Sequence, residues 1–230
     1  MMIKKNIIFI GMLALLFSFP LVMKAQGSTD KMTVLSAKEQ GLIGVAASTG
    51  KGDLPKLKIE LNKALDDGLT VNQLKESIMH LYAYAGFPRS LRGLQTLMTV
   101  LEERKASGIT DVLGVQASPV SQEGNKFDRG KAILEKLTGV TETGIKKGYA
   151  AFAPEIEVFL KEHLFADLFE RDVLTYAERE WVTVSVLSSI GGVEPMLNSH
   201  LNICLKQGLS PAQLQEFIDI IKSTIGKKEA

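Results

Sequence analysis

The sequence contains the same helical pattern twice, 140 residues apart. Segments 57–70 and 197–210 match position for position: both carry apolar residues at the spacing of one helix face, then a glycine and a hydroxyl residue. Gly68 and Gly208 stand where a left-handed glycine commonly ends a helix. The next helix opens in both copies with a capping box, formed by Thr70 with Gln73 and by Ser210 with Gln213. A fixed internal period predicts a tandem repeat of one helical unit.

Each copy predicts three helices. The match extends backwards to a second pair of capping boxes, Ser36 with Glu39 and Thr175 with Glu178. Apolar spacing then predicts helices at about 36–48, 54–67 and 71–85, and at about 175–189, 194–207 and 211–224. Further helices are expected at about 89–105, 127–138 and 154–169, and a loop at 106–126. Helix pairs with one apolar face must bury that face, so the fold class is all-α, with two tandem repeats packed as one unit.

The first 25 residues predict a secretory signal peptide. Lys4 and Lys5 precede an apolar run, and the small Ala25 stands at its end. A transmembrane anchor is the alternative. Cleavage would give an exported, periplasmic or secreted protein with no stable membrane insertion. The rest divides into a first repeat at 35–104, a connecting segment at 105–153 and a second repeat at 154–226.

Composition argues against several kinds of partner. The chain has 27 basic and 26 acidic residues, and loss of Lys4, Lys5 and Lys24 with the signal peptide would leave a net charge of about −2. No basic cluster with interleaved aromatic residues predicts nucleic-acid binding. Its three histidines lie on separate predicted helices, so no bound metal is expected. No glycine-rich phosphate loop follows a strand, and no cofactor is expected.

The repeated residues resemble the carboxymuconolactone decarboxylase family, which includes alkylhydroperoxidase D-like proteins. The resemblance is carried by the segment Tyr84-x-Gly86-x-Pro88 in the first repeat and by His200, eight residues before Gly208, in the second. It implies a homo-oligomer that buries repeat faces between subunits. Hydroperoxidase members resemble one another in a glutamate, a Cys-x-x-Cys pair and a histidine.

Carrying that motif onto this chain places its histidine at His200 and its glutamate at Glu180. The two cysteine positions fall close to Val193 and Met196, which cannot reduce a peroxide. The resemblance therefore excludes a thiol peroxidase of the usual kind. Cys204, the only cysteine, occupies the position of Ala64 in the first repeat, which predicts a buried structural thiol.

Glu180 and His200 are the candidate catalytic residues. Glu178 is explained by its capping box, whereas Glu180 has no such role, and its counterpart in the first repeat is Gly41. A histidine supported by a carboxylate can act as a general acid or base near neutral pH. That chemistry suits decarboxylation or a related proton transfer on a small carboxylic acid or lactone. The alternative is that His200 is an ordinary, partly exposed helix residue.

The first repeat supplies candidate substrate-binding residues, His80, Tyr84 and Arg89. Glu76, His80 and Tyr84 follow at intervals of four residues and form one polar stripe. Arg89 lies just beyond Gly86-Phe-Pro88, and its guanidinium could bind a substrate carboxylate. The alternative for these residues is a solvated helix face. His163 is expected at the surface.

Three functional hypotheses follow. The first is an exported, cofactor-free enzyme that performs acid–base chemistry on a carboxylated small molecule. The second is a peroxiredoxin-like or alkylhydroperoxidase-like antioxidant protein, which the absent Cys-x-x-Cys pair opposes. The third is a non-catalytic helical oligomer that binds a small molecule.

Overall fold

The computed structural model describes residues 34–226, and the predicted signal peptide lies outside them. All regular structure in this range is helical. The helices are α1 (Ala37–Lys51), α2 (Leu54–Asp66), α3 (Val71–His80), α4 (Tyr82–Ala106), α5 (Lys126–Thr138), α6 (Tyr149–Phe152), α7 (Pro154–Phe159), a π-helix (Leu160–Leu168), α8 (Tyr176–Ile190), α9 (Glu194–Lys206) and α10 (Pro211–Ile225). None of them is long and apolar enough to span a bilayer.

The repeat signals at the helix ends are confirmed. All four predicted capping boxes form, with the hydroxyl oxygen accepting from the third backbone amide and the Glu or Gln side chain accepting from the cap amide. Gly68 and Gly208 both have φ 89°, in the left-handed region that a side chain would strain. Residues 106–126 contain no helix after Ala106 and before Lys126, as expected.

Two equivalent helices, α1 and α8, lie side by side at the centre. They run in the same direction, because Trp181 Nε1 donates to Glu39 Oε1 at one end and Gly50 packs on Ser189 at the other. A Cβ on Gly50 would come 3.0 Å from Val186 Cγ2, so glycine permits this close approach. Each helix also packs on the third helix of the other repeat, α1 on α10 and α8 on α3.

The hydrophobic core is shared between the repeats. One cluster joins Leu42 and Val45 of α1 to Val182 and Val186 of α8, and a second joins Ile43 to Trp181. Neither repeat could bury its apolar faces without the other. The prediction of one all-α unit built from two tandem repeats is therefore confirmed.

Two regions differ from the predicted helices. The predicted helix 71–85 is broken at Leu81 and its continuation bends at Gly86, which has φ 78° and ψ 163° inside α4. The predicted helix 154–169 becomes π-helical from Leu160. A π-helix changes the hydrogen-bond register and leaves the apolar composition unaltered, so composition and spacing did not reveal it.

Candidate functional site

The structure brings Glu180 and His200 into direct contact. Glu180 Oε2 accepts a hydrogen bond from His200 Nδ1 at 2.8 Å. The Glu180 side chain is 0% exposed and the His200 side chain is 16% exposed. Only the histidine of this pair can therefore meet a molecule arriving from solvent. The second carboxylate oxygen, Glu180 Oε1, is buried and has no hydrogen-bond partner among the described residues.

The position of Glu180 follows from the sequence of α8. Every residue from Arg179 to Leu187 is buried, because α8 is enclosed by α1, α3 and α9. Glu178 faces the helix N-terminus and completes the capping box with Thr175. Glu180, two residues further on, turns to the opposite side, towards α9 and His200.

The first repeat carries no equivalent pair. Glu60 of α2 stands at the position of His200. Its carboxylate packs against Gly44 of α1, so closely that a Cβ on Gly44 would lie 2.5 Å from Glu60 Oε2. It pairs with Lys56 at 2.9 Å. Gly41 offers no side chain at the position of Glu180. The contact therefore exists only in the second repeat.

The hydrogen bond determines which nitrogen of His200 is available. An ionised carboxylate can only accept, so Nδ1 carries the proton that is shared with Glu180. Nε2 is then free to accept a proton, and the nearby carboxylate stabilises the imidazolium that results. The geometry suits a general acid–base residue positioned by a buried carboxylate.

Tyr84 lies beside this pair. Its ring meets the His200 ring edge-on, with 5.8 Å between centroids, and its hydroxyl is 3.3 Å from Thr183 Oγ1. Burial, and then the negative charge of Glu180, raise the pKa of Tyr84 far above its usual range. The phenol therefore stays protonated and can donate a hydrogen bond to a ligand, but it cannot serve as a base.

His80 is buried behind Tyr84. It is 0% exposed, so the solvated-face interpretation is wrong for this residue. Arg179 Nη1 lies 3.3 Å from His80 Nδ1 and can only donate, so His80 Nε2 carries the ring proton, 3.0 Å from Thr183 Oγ1. Both nitrogens of His80 are engaged by Thr183 and Arg179, and its ring lies beside that of Tyr84. Its predicted role in substrate binding stays a prediction.

A buried charge network lies beneath His80. Glu76 is 2% exposed, so the solvated-face interpretation is wrong here too. Its Oε1 accepts from Arg179 Nη2 at 2.8 Å and from Arg171 Nε at 2.9 Å. Burial alone would raise the pKa of Glu76, but hydrogen bonds from Arg171 and Arg179 bring it below its usual value.

The sequence interpretation missed Arg171, Arg179 and Thr183. One signal was available in α8, because the segment from Trp181 to Leu187 has no charged residue and predicts a helix buried on all sides. Charged residues at its start, Arg179 and Glu180, must then be buried and paired. No local pattern indicates that the partner of Arg179 is Glu76, which is 103 residues away.

Arg89 lies elsewhere. It is exposed at the bend of α4, and its guanidinium packs on Gly52, which ends α1 with φ 78°. Trp181, the residue after Glu180, contacts Glu39 at the opposite end of α1. No described contact joins Arg89 to Tyr84, Glu180 or His200, so its predicted role in binding a substrate carboxylate stays a prediction.

Cys204 is buried on the inner face of α9, as predicted. Burial, and then the negative charge of Glu180, raise the pKa of its thiol far above the usual range. The reactive thiolate is therefore suppressed. Val193 stands at the N-cap position of α9 and Met196 lies in its first turn, close to where the resemblance places the two cysteines of hydroperoxidases.

We expect Cys204→Ser to change stability more than any activity. A buried hydroxyl without a partner costs about 1–3 kcal/mol, whereas Cys204→Ala copies Ala64 of the first repeat and should cost less. Peroxide reduction that depends on a thiol should be negligible in the wild type, because no second thiol exists to resolve an oxidised one. Chemical unfolding and a hydroperoxide assay measure both effects. Robust turnover that disappears in both variants would contradict this prediction.

Acid should weaken the fold through His80. Burial, then the positive charges of Arg179 and His200, hold the pKa of His80 well below its usual value. Below about pH 6.5 His80 becomes protonated in the unfolded chain, whereas in the folded chain it stays neutral down to a lower pH. The free energy of unfolding should therefore fall by up to ~1.4 kcal/mol per pH unit from that pH downwards.

Urea unfolding between pH 7 and pH 5 measures this slope. His80→Gln should flatten it, since glutamine does not titrate. His163→Gln is the control, because His163 is exposed and, among residues 34–226, pairs with Asp167 and the ring of Tyr82. Equal slopes in wild type and His80→Gln would show that His80 is not responsible.

Sequence comparison identifies the family. The family model described as the carboxymuconolactone decarboxylase family matches residues 20–97 and 154–230, one match in each repeat. The chain belongs to the carboxymuconolactone decarboxylase family. The resemblance in the repeated residues is confirmed by this match. No curated protein matches the chain at a significant level.

A solved structure supports the same fold. The chain is similar to a protein of Burkholderia xenovorans LB400 that is provisionally named a gamma-carboxymuconolactone decarboxylase subunit. The sequences are 22% identical, the TM-score is 0.54, and the match covers 83% of this chain and 73% of the other. At this identity the likeness concerns the fold of this family, and activity is a separate question.

Proposed function

We propose that this protein is an exported enzyme of the carboxymuconolactone decarboxylase family that uses Glu180 and His200 for cofactor-free acid–base chemistry on a small carboxylated molecule. The observation that carries the proposal is the 2.8 Å hydrogen bond between a fully buried carboxylate and a partly exposed imidazole. The buried carboxylate orients the imidazole, and the partial exposure of His200 leaves it within reach of a small molecule.

In the proposed reaction His200 Nε2 transfers the proton. For decarboxylation, the bond to the carboxylate carbon breaks, carbon dioxide leaves, and the electron pair remains on the substrate as an enolate. Protonated His200 then delivers a proton to the substrate carbon that carried the carboxylate, and His200 is reprotonated from water. Glu180 holds the imidazole in position and stabilises its charged form. Tyr84, which stays protonated, can donate a hydrogen bond to the substrate oxygen that gains negative charge.

The substrate class follows from the family and from the reaction. The name of the Burkholderia protein refers to decarboxylation of a lactone that carries a carboxyl group. We extend that class, a carboxylic acid or lactone, to this chain. Tyr84 supplies one neutral hydrogen-bond donor for such a substrate. Arg89 would supply a cation if a change at the Gly86 bend brought its side chain towards Tyr84 and His200.

A thermal-shift screen over small carboxylic acids and lactones tests the proposal. A ligand that binds only the folded state at a concentration of 100 Kd stabilises it by about 2.7 kcal/mol. For each hit that carries a free carboxylate, the methyl ester is the matched control, because it keeps nearly the same shape and removes the charge. No stabilisation by any acid or lactone, or equal stabilisation by the esters, would contradict the proposed substrate class.

Export is part of the same proposal. We expect the mature chain to begin near Gln26, because the predicted cleavage point follows Ala25. Intact-mass measurement of the protein recovered from the native cell envelope or medium would locate the terminus. A mass that retains residues 1–25 in a membrane fraction would favour the anchor alternative.

A further inference from the structure

An apolar groove runs between α9 and α10 in the second repeat. Its volume is about 290 Å³, and Ser188 of α8 lines one part of it. The groove is lined by aliphatic side chains at helix-face spacing: Leu197, Leu201, Leu205, Leu214, Ile218 and Ile221.

The equivalent face in the first repeat is covered. Leu57, Leu61, Leu65, Leu74 and Ile78, which stand 140 residues earlier, are all between 0% and 7% exposed. They are covered because α4 packs across α2 and α3 and inserts Leu97 and Val100 into the same cluster. By contrast, Leu205 is 45% exposed where its counterpart Leu65 is 7% exposed. Within residues 34–226, no helix takes the place of α4 over the α9–α10 groove.

The internal repeat therefore indicates what fits this groove. The same pattern of leucine and isoleucine accepts an amphipathic, leucine-rich helix in the first repeat. We therefore expect the α9–α10 groove of the second repeat to accept an amphipathic helix with a free apolar face.

This chain carries such a face on the outer side of α4. The inner side of α4 buries Gly93, Leu97 and Val100. A second apolar row follows at alternating spacings of four and three residues, which is the spacing of a helix–helix seam: Phe87, Leu91, Leu94, Met98 and Leu101. Leu94 and Leu101 touch the core, whereas Phe87, Leu91 and Met98 are 63%, 54% and 60% exposed. We call these three residues the α4 stripe.

We propose that the α4 stripe of one copy occupies the α9–α10 groove of a second copy. The stripe is long enough to span the groove, because Phe87 to Met98 rises roughly 16 Å along a helix and Leu197 to Leu205 roughly 12 Å. Each copy offers one stripe and one groove, so a reciprocal dimer or a closed ring would use every stripe and every groove. The partner is thus a second copy of this chain, and the contact does not depend on the proposed function.

Paired cysteines test the contact directly. Cys204→Ala gives a chain without thiols, and Ala64 at the equivalent position indicates that alanine fits there. In this background, Leu91→Cys and Leu205→Cys are made in separate chains that carry different tags, and the chains are co-expressed and oxidised. We expect a covalent dimer that contains one chain of each kind, and little dimer from either variant alone. Ile59→Cys on α2, which is 62% exposed, replaces Leu91→Cys as the control.

Charged variants give an independent measurement. Leu91→Glu and Leu205→Glu change exposed side chains, so each should keep the wild-type helix content and shift the mass from oligomer to monomer in light scattering at micromolar concentration. A monomeric wild type would overturn the proposal, as would a mixed crosslink no stronger than the Ile59→Cys control. A Leu91→Glu variant that stays oligomeric would overturn the proposal as well. That result would be expected if an apolar small molecule, and not the α4 stripe, filled the groove.

Discussion

Replacing His200 by asparagine is expected to lower the proposed activity by about a hundred- to ten-thousand-fold, the range typical for loss of a general acid or base. Asparagine keeps an amide donor near the position of Nδ1, so Glu180 retains a hydrogen bond, while the proton carried by Nε2 is lost. The melting temperature should therefore change little. Steady-state kinetics on a substrate found by the ligand screen measure the effect.

Alanine is a poorer choice at this position. The sequence alone suggests that His200→Ala removes little packing, because the residue stands at the margin of the apolar face of α9. The structure adds that the Glu180 carboxylate is fully buried and that, within the part of the chain the structure describes, it bonds only to His200. His200→Ala would leave both carboxylate oxygens without partners, at a cost of about 1–3 kcal/mol or more. Loss of activity could then reflect loss of structure.

Glu178→Gln is the matched control for the pair. It removes a carboxylate two residues from Glu180, yet glutamine still completes the capping box with Thr175. Activity should be preserved in Glu178→Gln and reduced in Glu180→Gln, which should also displace the pH profile. Full activity in His200→Asn would mean that His200 is structural and would favour a binding role.

Glu76→Gln should be the most destabilising single change outside the apolar core. Arg179 is 0% exposed and ion-pairs with Glu76 at 2.8 Å, and removal of one partner from a buried pair costs about 3–5 kcal/mol. Arg171 loses the same partner but is 30% exposed and can turn to water. Urea unfolding at neutral pH measures the loss.

Two comparisons make this prediction specific. Glu103→Gln breaks the exposed pair with Lys58 and should cost no more than about 1 kcal/mol. The double variant Glu76→Leu with Arg179→Met removes both charges and should recover much of the stability, because no buried charge is left unpaired. If Glu76→Gln cost no more than Glu103→Gln, the network would not stabilise the fold.

The same carboxylate should make the fold sensitive to strong acid. The pKa of Glu76 is lower when folded than when unfolded, so its contribution is fully present above the unfolded pKa of about 4.3 and is lost as pH falls through the folded value. This loss begins at a lower pH than the loss caused by His80, which starts below about pH 6.5. The contribution of Glu76 should disappear in the Glu76→Leu with Arg179→Met variant, whereas the contribution of His80 should become smaller but persist, because burial lowers the pKa of His80 more than the charge of Arg179 does.

The fold could be predicted because the repeat is recognisable from residues that lie close together in the sequence. Capping boxes and left-handed glycines depend on residues three or four positions apart, so Thr175 with Glu178 and Gly208 could be placed without a structure. The bend at Gly86 and the π-helix from Leu160 could not be placed, because they depend on how α3, α4 and α8 pack.

The candidate site was predictable only in part. The Glu180 and His200 pair came from the family motif, with the capping role of Glu178 used to separate the two glutamates. The burial of Glu76 and His80 was missed, since a stripe of polar residues at helical spacing has the same pattern on a solvated face as on a face buried against charged partners. Their partner Arg179 belongs to the other repeat, and no signal in a single sequence joins the two.

Proton exchange at substrate carbon tests the central claim most directly. The wild-type protein is incubated in deuterated water with the carboxylic acid or lactone that stabilises it most, and the carbon next to the carboxylate is followed by NMR. The Glu180 and His200 account predicts incorporation of deuterium at that carbon, with or without loss of carbon dioxide, and a rate about a hundred-fold or more lower in His200→Asn. Equal incorporation in wild type and His200→Asn, or none in either while binding persists, would contradict it.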